Sequence, residues 1–247
     1  MSATPHPQAS EPGAPEPGAP EPGVAAPAAS VLLTVETTLG PGRLTVDAAT
    51  DQRVVLCLGH GAGGGIGAPD LAALAAGLPR HGITVIRYEQ PWRVAGKRVA
   101  SRPAALDTAW LETASPVARI ADGLPLLVGG RSAGARVACR TAASTGAAGV
   151  VCLAFPLHPP GRTEKSRLDE LLTPEVPVLV LQGDRDTFGT AATVSAEVAA
   201  ASRPGLRVIA VPGADHGMKV LASSPFGAAA VRELLVSSVA AFVTETV

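Results

Sequence analysis

The amino-acid sequence predicts an α/β fold in which a mostly parallel sheet of about eight strands carries helices on both faces. Short apolar runs recur along the chain, and they are nearly continuous rather than alternating, as expected of parallel strands covered on both faces. Segments typical of helices separate these runs. A chain of 247 residues, of which 47% are hydrophobic, can bury one large core, but its length leaves no room for a large cap domain.

The strands and helices can be assigned in chain order. An antiparallel strand pair is predicted first, at residues 31–37 and 43–47, joined by a turn at Leu39-Gly-Pro-Gly42. Further strands are predicted at residues 54–58, 83–88, 124–128, 150–155, 178–181 and 206–211. Helices are predicted at residues 69–78, 103–120, 132–143, 190–201 and 227–246. Because such sheets bind ligands at the carboxyl ends of their strands, functional residues are expected in the loops that follow the apolar runs.

The first 29 residues differ in composition from the rest of the chain. They are rich in Pro, Gly and Ala and repeat Glu-Pro-Gly-Ala-Pro between residues 11 and 23. Proline and glycine at this density do not build helix or sheet, and too little apolar surface is present to offset the entropy of ordering. We therefore expect a disordered tail over residues 1–29 and one folded domain over residues 30–247.

Composition excludes several classes of function. A formal net charge of −1 provides no electrostatic attraction to nucleic acid or anionic membranes. The sequence has neither an apolar stretch of about 18 residues nor a secretion-signal pattern. Cys57, Cys139 and Cys152 lie in apolar segments without metal-like spacing, which favours a reducing compartment. We expect a cytoplasmic protein without metal or organic cofactor, and no pattern in the sequence specifies an oligomeric state.

The segment from residue 124 to residue 139 predicts a nucleophilic serine. A short apolar strand is followed by Gly130-Arg131-Ser132-Ala133-Gly134 and then by a helix-forming run. This order of strand, G-x-S-x-G and helix is typical of a nucleophile elbow. Glycine suits the positions two residues either side of the serine, because the sharp reversal leaves little space. The hydroxyl of Ser132 is then expected at a helix N-terminus, whose free N–H groups favour negative charge.

The glycine-rich segment at residues 59–67 has two interpretations. The first interpretation is a dinucleotide site, because the segment contains a G-x-G-x-x-G pattern and Glu89 stands at the end of the next strand. The other is an oxyanion loop that donates a backbone N–H from Ala62, with Ala133 as the second donor. We favour the oxyanion loop, because a dinucleotide site gives no reason for the serine, aspartate and histidine that follow it. His60 is a candidate for contacting substrate.

An acid and a histidine follow Ser132 in the order that a Ser–Asp–His triad needs. Asp184 and Asp186 both come after the strand at residues 178–181, and His216 lies in the loop before the last helix. Asp186 is the favoured acid because it follows the turn at Gly183 by three residues, whereas Asp184 suits a role within the turn. A histidine with a pKa near neutral would take and return the serine proton, while the aspartate fixes its tautomer.

These residues, with longer segments around them, resemble the α/β-hydrolase superfamily. Four segments are similar to a small subfamily near the dienelactone hydrolases. They are Phe155-Pro-Leu-His-Pro-Pro-Gly-Arg-Thr-Glu-Lys165, Leu181-Gln-Gly-Asp-Arg-Asp-Thr-Phe-Gly189, Tyr88-Glu-Gln-Pro and residues 129–135. Relatives of that subfamily include a subunit of an animal chromatin acetyltransferase complex. The resemblance covers about residue 54 to the C-terminus and implies the α/β-hydrolase fold, with Ser132, Asp186 and His216 as the triad. Dienelactone hydrolases proper use a cysteine where this chain has Ser132.

The expected function is a serine hydrolase that cleaves a carboxylic ester, a thioester or a similar acyl bond in a small molecule through an acyl-enzyme intermediate. A catalytically silent interaction scaffold is the alternative, and a nucleotide-dependent oxidoreductase is a third hypothesis. His60, His158 and Arg131 are candidates for binding substrate. The segment with Trp92, Arg93, Lys97 and Arg98 is either a lid that meets an acidic substrate or, as we favour, a solvated connection.

Overall fold

The computed structural model describes residue 1 and residues 29–247, and these residues build one eight-stranded sheet. Its strands run in the order β1-β2-β4-β3-β5-β6-β7-β8. β1 pairs antiparallel with β2, and β2 pairs antiparallel with β4, while the other pairs are parallel. The strands are β1 (Val31–Thr37), β2 (Gly40–Asp47), β3 (Val54–Gly59), β4 (Ile83–Glu89), β5 (Leu126–Arg131), β6 (Gly149–Leu153), β7 (Val178–Gly183) and β8 (Leu206–Val211).

Helices connect the strands and cover both faces of the sheet. They are α1 (Pro69–Gly77), α2 (Pro91–Val94), α3 (Pro103–Leu111), α4 (Ala114–Ala121), α5 (Ala133–Thr145), α6 (Leu168–Leu172), α7 (Ala191–Ala201) and α8 (Ala228–Thr246). The predicted α/β fold, with its mostly parallel sheet and no large cap domain in residues 29–247, is confirmed. Residues 2–28 of the predicted tail lie outside the described residues.

Successive residues of the inner strands belong alternately to two hydrophobic clusters, one on each face of the sheet. Val55 and Cys57 of β3 pack with α3, α4, α5 and α7, whereas Leu56 and Leu58 pack with α1 and α8. Both faces of the inner strands are therefore buried, which explains why their sequences read as continuous apolar runs. Within the described residues, no helix combines the length and the apolar character needed to cross a membrane.

The predicted helix at residues 103–120 is wrong in one respect, because the chain forms two helices there. α3 ends at Leu111 and α4 begins at Ala114. Thr113 lies between them, and both its hydroxyl and its N–H donate to the carbonyl of Trp110, at 2.7 Å and 3.0 Å. Threonine hydroxyls compete in this way with the backbone bonds of a helix. The single-turn helices α2 and α6 were not predicted, since so few residues carry no helical periodicity.

The predicted turn at Leu39-Gly-Pro-Gly42 is also shifted. The turn occupies residues 38 and 39, and β2 already begins at Gly40. Gly40 has φ +103°, a conformation that glycine adopts without strain. A Cβ at Gly42 would lie 2.7 Å from the ring of Tyr88. Gly40 therefore allows the chain to leave the turn, whereas Gly42 leaves space for the ring of Tyr88 to pack against the sheet.

Candidate active site

Ser132 lies at the sharp turn between β5 and α5. Its backbone has φ 53° and ψ −110°, a region that residues other than glycine rarely occupy because of steric contact with their own backbone. The N–H of Ser132 donates a hydrogen bond to the carbonyl of Leu153, 2.9 Å away at the carboxyl end of β6. The neighbouring strand therefore helps to hold the turn in this geometry.

Gly130 and Gly134 allow the turn at Ser132 to pack closely against β3. A Cβ at Gly130 would lie 2.5 Å from the carbonyl oxygen of Gly59, and a Cβ at Gly134 would lie 2.3 Å from the same atom. Both contacts are with backbone, which cannot move aside as a flexible side chain can. The crowding that requires glycine therefore comes from the end of β3, rather than from the serine itself.

His216 lies between Ser132 and Asp186. Its Nε2 is 3.0 Å from Oγ of Ser132, and its Nδ1 is 2.8 Å from Oδ2 of Asp186. Because a carboxylate accepts hydrogen bonds, Nδ1 carries the proton and Nε2 accepts from the serine hydroxyl. The ring of Phe188 packs against the imidazole, with a centroid separation of 4.2 Å. Three side chains from three separate loops thus form one hydrogen-bonded chain.

Asp186 is buried, and its neighbours fix the orientation of its carboxylate. Oδ1 accepts the backbone N–H of Phe188 at 2.8 Å, and Oδ2 also accepts from Nε2 of Gln182 at 2.9 Å. Asp184 is exposed, and its backbone N–H lies 3.4 Å from the carbonyl of Val211. Of the two aspartates considered from the sequence, Asp186 is the one that the fold brings to His216.

Comparison with known proteins gives the family. A family model described as the alpha/beta hydrolase domain matches residues 52–244.

The chain belongs to the α/β-hydrolase family.

Solved structures share the architecture of this α/β-hydrolase. An α/β serine hydrolase without lid from Xanthomonas campestris is 22% identical over 87% of this chain and 95% of its own, with a TM-score of 0.66. An α/β serine hydrolase homologue from Coxiella burnetii is 18% identical over 87% of this chain and 99% of its own, with a TM-score of 0.68. A dienelactone hydrolase from Anabaena variabilis is 16% identical over 89% of this chain and 98% of its own, with a TM-score of 0.65.

These findings confirm the predicted likeness of this α/β-hydrolase to the dienelactone hydrolases. The likeness to a subunit of a chromatin acetyltransferase complex stays a prediction.

The glycine-rich segment of the α/β-hydrolase packs against the turn at Ser132. A Cβ at Gly61 would lie 3.4 Å from the Cβ of Ser132. Ala62 in this segment and Ala133 at the start of α5 line the same small pocket. α1 begins only at Pro69, beyond the third glycine of the G-x-G-x-x-G pattern. In a dinucleotide site the helix N-terminus receives the pyrophosphate directly after these glycines, so the packing favours the oxyanion-loop interpretation.

His60 has both ring nitrogens occupied by backbone groups. Nδ1 donates to the carbonyl of Gly61 at 2.8 Å, and Nε2 accepts the N–H of Gln90 at 3.1 Å. Burial lowers the pKa of His60 below its ordinary value, against smaller opposing effects from Gly61 and Glu89. The imidazole therefore stays neutral and ties the glycine-rich segment to the end of β4. Its ring also lines the pocket beside Ser132, so contact with substrate stays a prediction.

Arg131 and His158 were also predicted to bind substrate, and this stays a prediction for both. The guanidinium of Arg131 contacts Asp70 and the backbone of His216. His158 is buried, and its Nδ1 lies 3.2 Å from the carbonyl of Pro159. Its backbone N–H donates to the carbonyl of Phe188. It is not among the residues that line the pocket beside Ser132.

A small pocket lies beside the serine of this α/β-hydrolase. Its cavity volume is about 10 Å³. Its apolar wall includes both tryptophans of the chain, together with Ala100, Leu106 and Val137. Trp92 packs near His60 and Trp110 against Tyr88, with ring centroids 5.5 Å and 5.9 Å apart. Arg93, Lys97 and Arg98, which follow Trp92, are exposed.

Three residues that support the α/β-hydrolase site were not predicted from the sequence. Gln182 and Phe188 hold the carboxylate of Asp186, and Asp70 pairs with Arg131. Asp70 carried no signal in the sequence for a buried partner, because an acid in the first turn of a helix is also favourable when it is exposed. Gln182 carried no signal either, because it lies next to the end of β7, where polar residues are common. Among residues 29–247, no group of three or more acidic, histidine or cysteine side chains could hold a metal ion.

Proposed function

We propose that this α/β-hydrolase cleaves a carboxylic ester, a thioester or a similar acyl bond through an acyl-enzyme formed on Ser132. The observation that carries the proposal is the hydrogen-bonded chain from Ser132 through His216 to the buried Asp186. Family membership supports a hydrolase. The neighbour from Xanthomonas campestris is described as a serine hydrolase and that from Coxiella burnetii as a serine hydrolase homologue, which agrees with a serine nucleophile.

In the first half of the reaction, Ser132 attacks the carbonyl carbon of the substrate. Nε2 of His216 takes the hydroxyl proton as the Oγ–C bond forms, and Asp186 stabilises the resulting imidazolium. The carbonyl oxygen becomes an oxyanion, which the backbone N–H groups of Ala62 and Ala133 stabilise. When this intermediate collapses, the bond to the leaving group breaks and His216 returns its proton to the leaving group.

In the second half, water replaces the leaving group beside His216. Nε2 removes a proton from water, and the oxygen attacks the acyl carbon to form a second tetrahedral intermediate. Its collapse breaks the bond to Oγ and returns the proton to Ser132, so the acid product leaves and the free enzyme is restored. Each proton passes through the same nitrogen of His216, which is why its tautomer matters.

The small pocket indicates the size of the acyl group. The leaving group must face His216, because this residue protonates it. The pocket is lined by Ala62 and Ala133, which directly follows Ser132, but by none of the three triad side chains. It therefore lies on the side of Ser132 away from His216, which suits the acyl group. A cavity of about 10 Å³ is at the lower end of the roughly 10–15 Å³ that a cavity needs to hold one water molecule. We therefore propose that the enzyme acts on short acyl groups, of about the size of acetyl.

Covalent labelling tests the proposed nucleophile. A fluorophosphonate probe should add once to the folded protein, as measured by intact mass, with the adduct mapped to Ser132. Ser132→Ala should stay unlabelled, whereas Ser223→Ala, which changes an exposed serine elsewhere, should be labelled as the wild type is. A folded wild-type protein that gains no mass, under conditions that label a known esterase, would favour the interaction scaffold instead.

A series of p-nitrophenyl esters tests the proposed acyl size. We expect kcat/KM for the acetate to exceed that for the octanoate by about 100-fold or more, because a single misfitting methylene changes discrimination by about 1–3 kcal/mol. Leu106→Ala widens the pocket wall and should improve the butyrate about tenfold relative to the acetate. Its matched control is Leu235→Ala, a buried leucine of α8 on the other face of the sheet. Equal rates for acetate and octanoate would refute the short-acyl proposal, while leaving the nucleophile in place.

A further inference from the structure

The side chain of Arg131, directly before Ser132, connects two other parts of the site. Its Nε lies 3.0 Å from Oδ2 of Asp70 in α1, and its Nη2 donates to the backbone carbonyl of His216. Nη1 packs against the glycine-rich segment, since a Cβ at Gly61 would lie only 3.1 Å from it. One guanidinium thus touches the first turn of α1, the glycine-rich segment and the loop that carries the histidine.

Both side chains of this ion pair are largely buried. The Asp70 side chain is fully buried and that of Arg131 is 12% exposed, so each charge depends on the other rather than on water. Asp70 is itself anchored, because its Oδ1 accepts the N–H of Leu71 at 2.9 Å. A planar guanidinium has several donors in fixed directions. The contact of Nε with Asp70 is an ion pair at 3.0 Å without hydrogen-bond geometry. It holds the charged end of Arg131 next to the carbonyl of His216, to which Nη2 donates.

We propose that Arg131 is a positioning residue. Held by Asp70, it fixes the backbone of the histidine loop (residues 212–219), and so keeps Nε2 of His216 within hydrogen-bond distance of Ser132. The catalytic consequence rests on the proposed function, whereas the effect on the loop does not. The loop has a second restraint of its own, because Oδ1 of Asp215 accepts the N–H groups of Gly217 and Lys219 at 2.7 Å and 3.0 Å. The backbone N–H of Arg185 also donates to the carbonyl of Ala214 at 3.0 Å, which ties the loop to the segment of Asp186. Arg131 adds a link from the loop to the segment of Ser132 and to α1.

The test removes both charges together, so that no buried charge is left alone. In Asp70→Asn/Arg131→Met, hydrogen exchange measured by mass spectrometry should be about tenfold faster in the histidine loop, because an opening that costs less free energy exchanges faster. The kcat for p-nitrophenyl acetate should fall about 10–100-fold, since a small displacement of a catalytic group has an effect of that size. KM should change less than about threefold, because substrate binding does not depend on the imidazole position in the same way.

Arg136→Met is the matched control. Arg136 lies in α5, a few residues along the chain, and forms a bidentate pair with Glu170 at 2.9 Å and 2.6 Å. This substitution also removes an arginine–carboxylate pair, but exchange in the histidine loop and kcat should both stay at wild-type values. A second variant, Arg131→Lys, keeps a charge for Asp70 but places a single ammonium where two partners need donors. It should give an intermediate exchange rate and an intermediate kcat.

Hydrogen exchange and ester hydrolysis together distinguish the possible outcomes of this test. Unchanged exchange in the histidine loop of the double variant would overturn the proposal, and so would exchange accelerated equally throughout the domain. Wild-type kcat in a double variant with a more mobile loop would remove the catalytic role. If the wild-type protein neither hydrolyses esters nor reacts with the fluorophosphonate, the proposed function fails. The exchange measurement still decides whether Arg131 holds the loop.

Discussion

Ser132→Ala should lower kcat for p-nitrophenyl acetate by about 10⁴–10⁶-fold, because it removes the atom that forms the acyl-enzyme. His216→Ala should have a loss of similar size, since the serine hydroxyl is a weak nucleophile without a base 3.0 Å away. The two side chains act as one unit, so the double variant should be little worse than either single variant. Steady-state kinetics on the three purified variants measure this directly.

Protein folding is not expected to limit this comparison. Alanine at position 132 keeps the Cβ that the turn already accommodates, and the backbone hydrogen bond from residue 132 to Leu153 does not involve the side chain. Thermal midpoints of the variants should therefore stay close to that of the wild type. Retention of more than about 1% of wild-type kcat in Ser132→Ala, against the expected loss of several orders of magnitude, would mean that another group is the nucleophile.

Asp186→Asn should lower kcat by about 10³–10⁴-fold, the effect expected when the imidazole is held in the wrong tautomer. The hydrogen bonds around this carboxylate decide how an asparagine would sit. Phe188 donates its backbone N–H to Oδ1 at 2.8 Å, and a backbone N–H cannot become an acceptor, so an oxygen must remain there. The new NH₂ group then takes the place of Oδ2, where it also displaces the hydrogen bond from Nε2 of Gln182. That NH₂ faces Nδ1 of His216, which then becomes the acceptor. Nε2 carries the proton and cannot accept one from Ser132.

Asp184→Asn is the matched control for this prediction. It makes the same chemical change two residues away, at an exposed position, and it should alter kcat less than about twofold, as most surface changes remote from a site do. The same ester assay measures both variants. If Asp184→Asn were the more damaging of the two, the acid of the triad would have been assigned to the wrong aspartate.

Much of the fold could be predicted because burial on both faces leaves a clear pattern in the strands. The three residues of the candidate triad could be predicted for a related reason. The carboxyl ends of parallel strands meet at one edge of the sheet, so residues after β5, β7 and β8 converge although they are far apart in the chain. Chain order and loop context were enough to choose Ser132, Asp186 and His216.

The remaining features depend on packing between distant segments. The contact of Arg131 with Asp70 forms only once α1 lies against the end of β5, and nothing local to either residue indicates it. The pocket wall brings Trp92 and Trp110 together from α2 and α3, which sequence periodicity does not relate. The break at Thr113 is local by contrast, and it depends on which acceptor the threonine hydroxyl selects. In the first two cases the deciding contact exists only in the folded chain.

The positive φ of Ser132 sets the conformational stability of the turn against the presence of a nucleophile there. A non-glycine residue in such a conformation is less favourable by about 1–3 kcal/mol, and the surrounding backbone has to make up the difference. A glycine at this position would relax the turn but would have no nucleophile. Selection for thermal stability alone would therefore favour glycine over the serine that the proposed chemistry needs. Stabilising substitutions have to be made at other positions of the molecule.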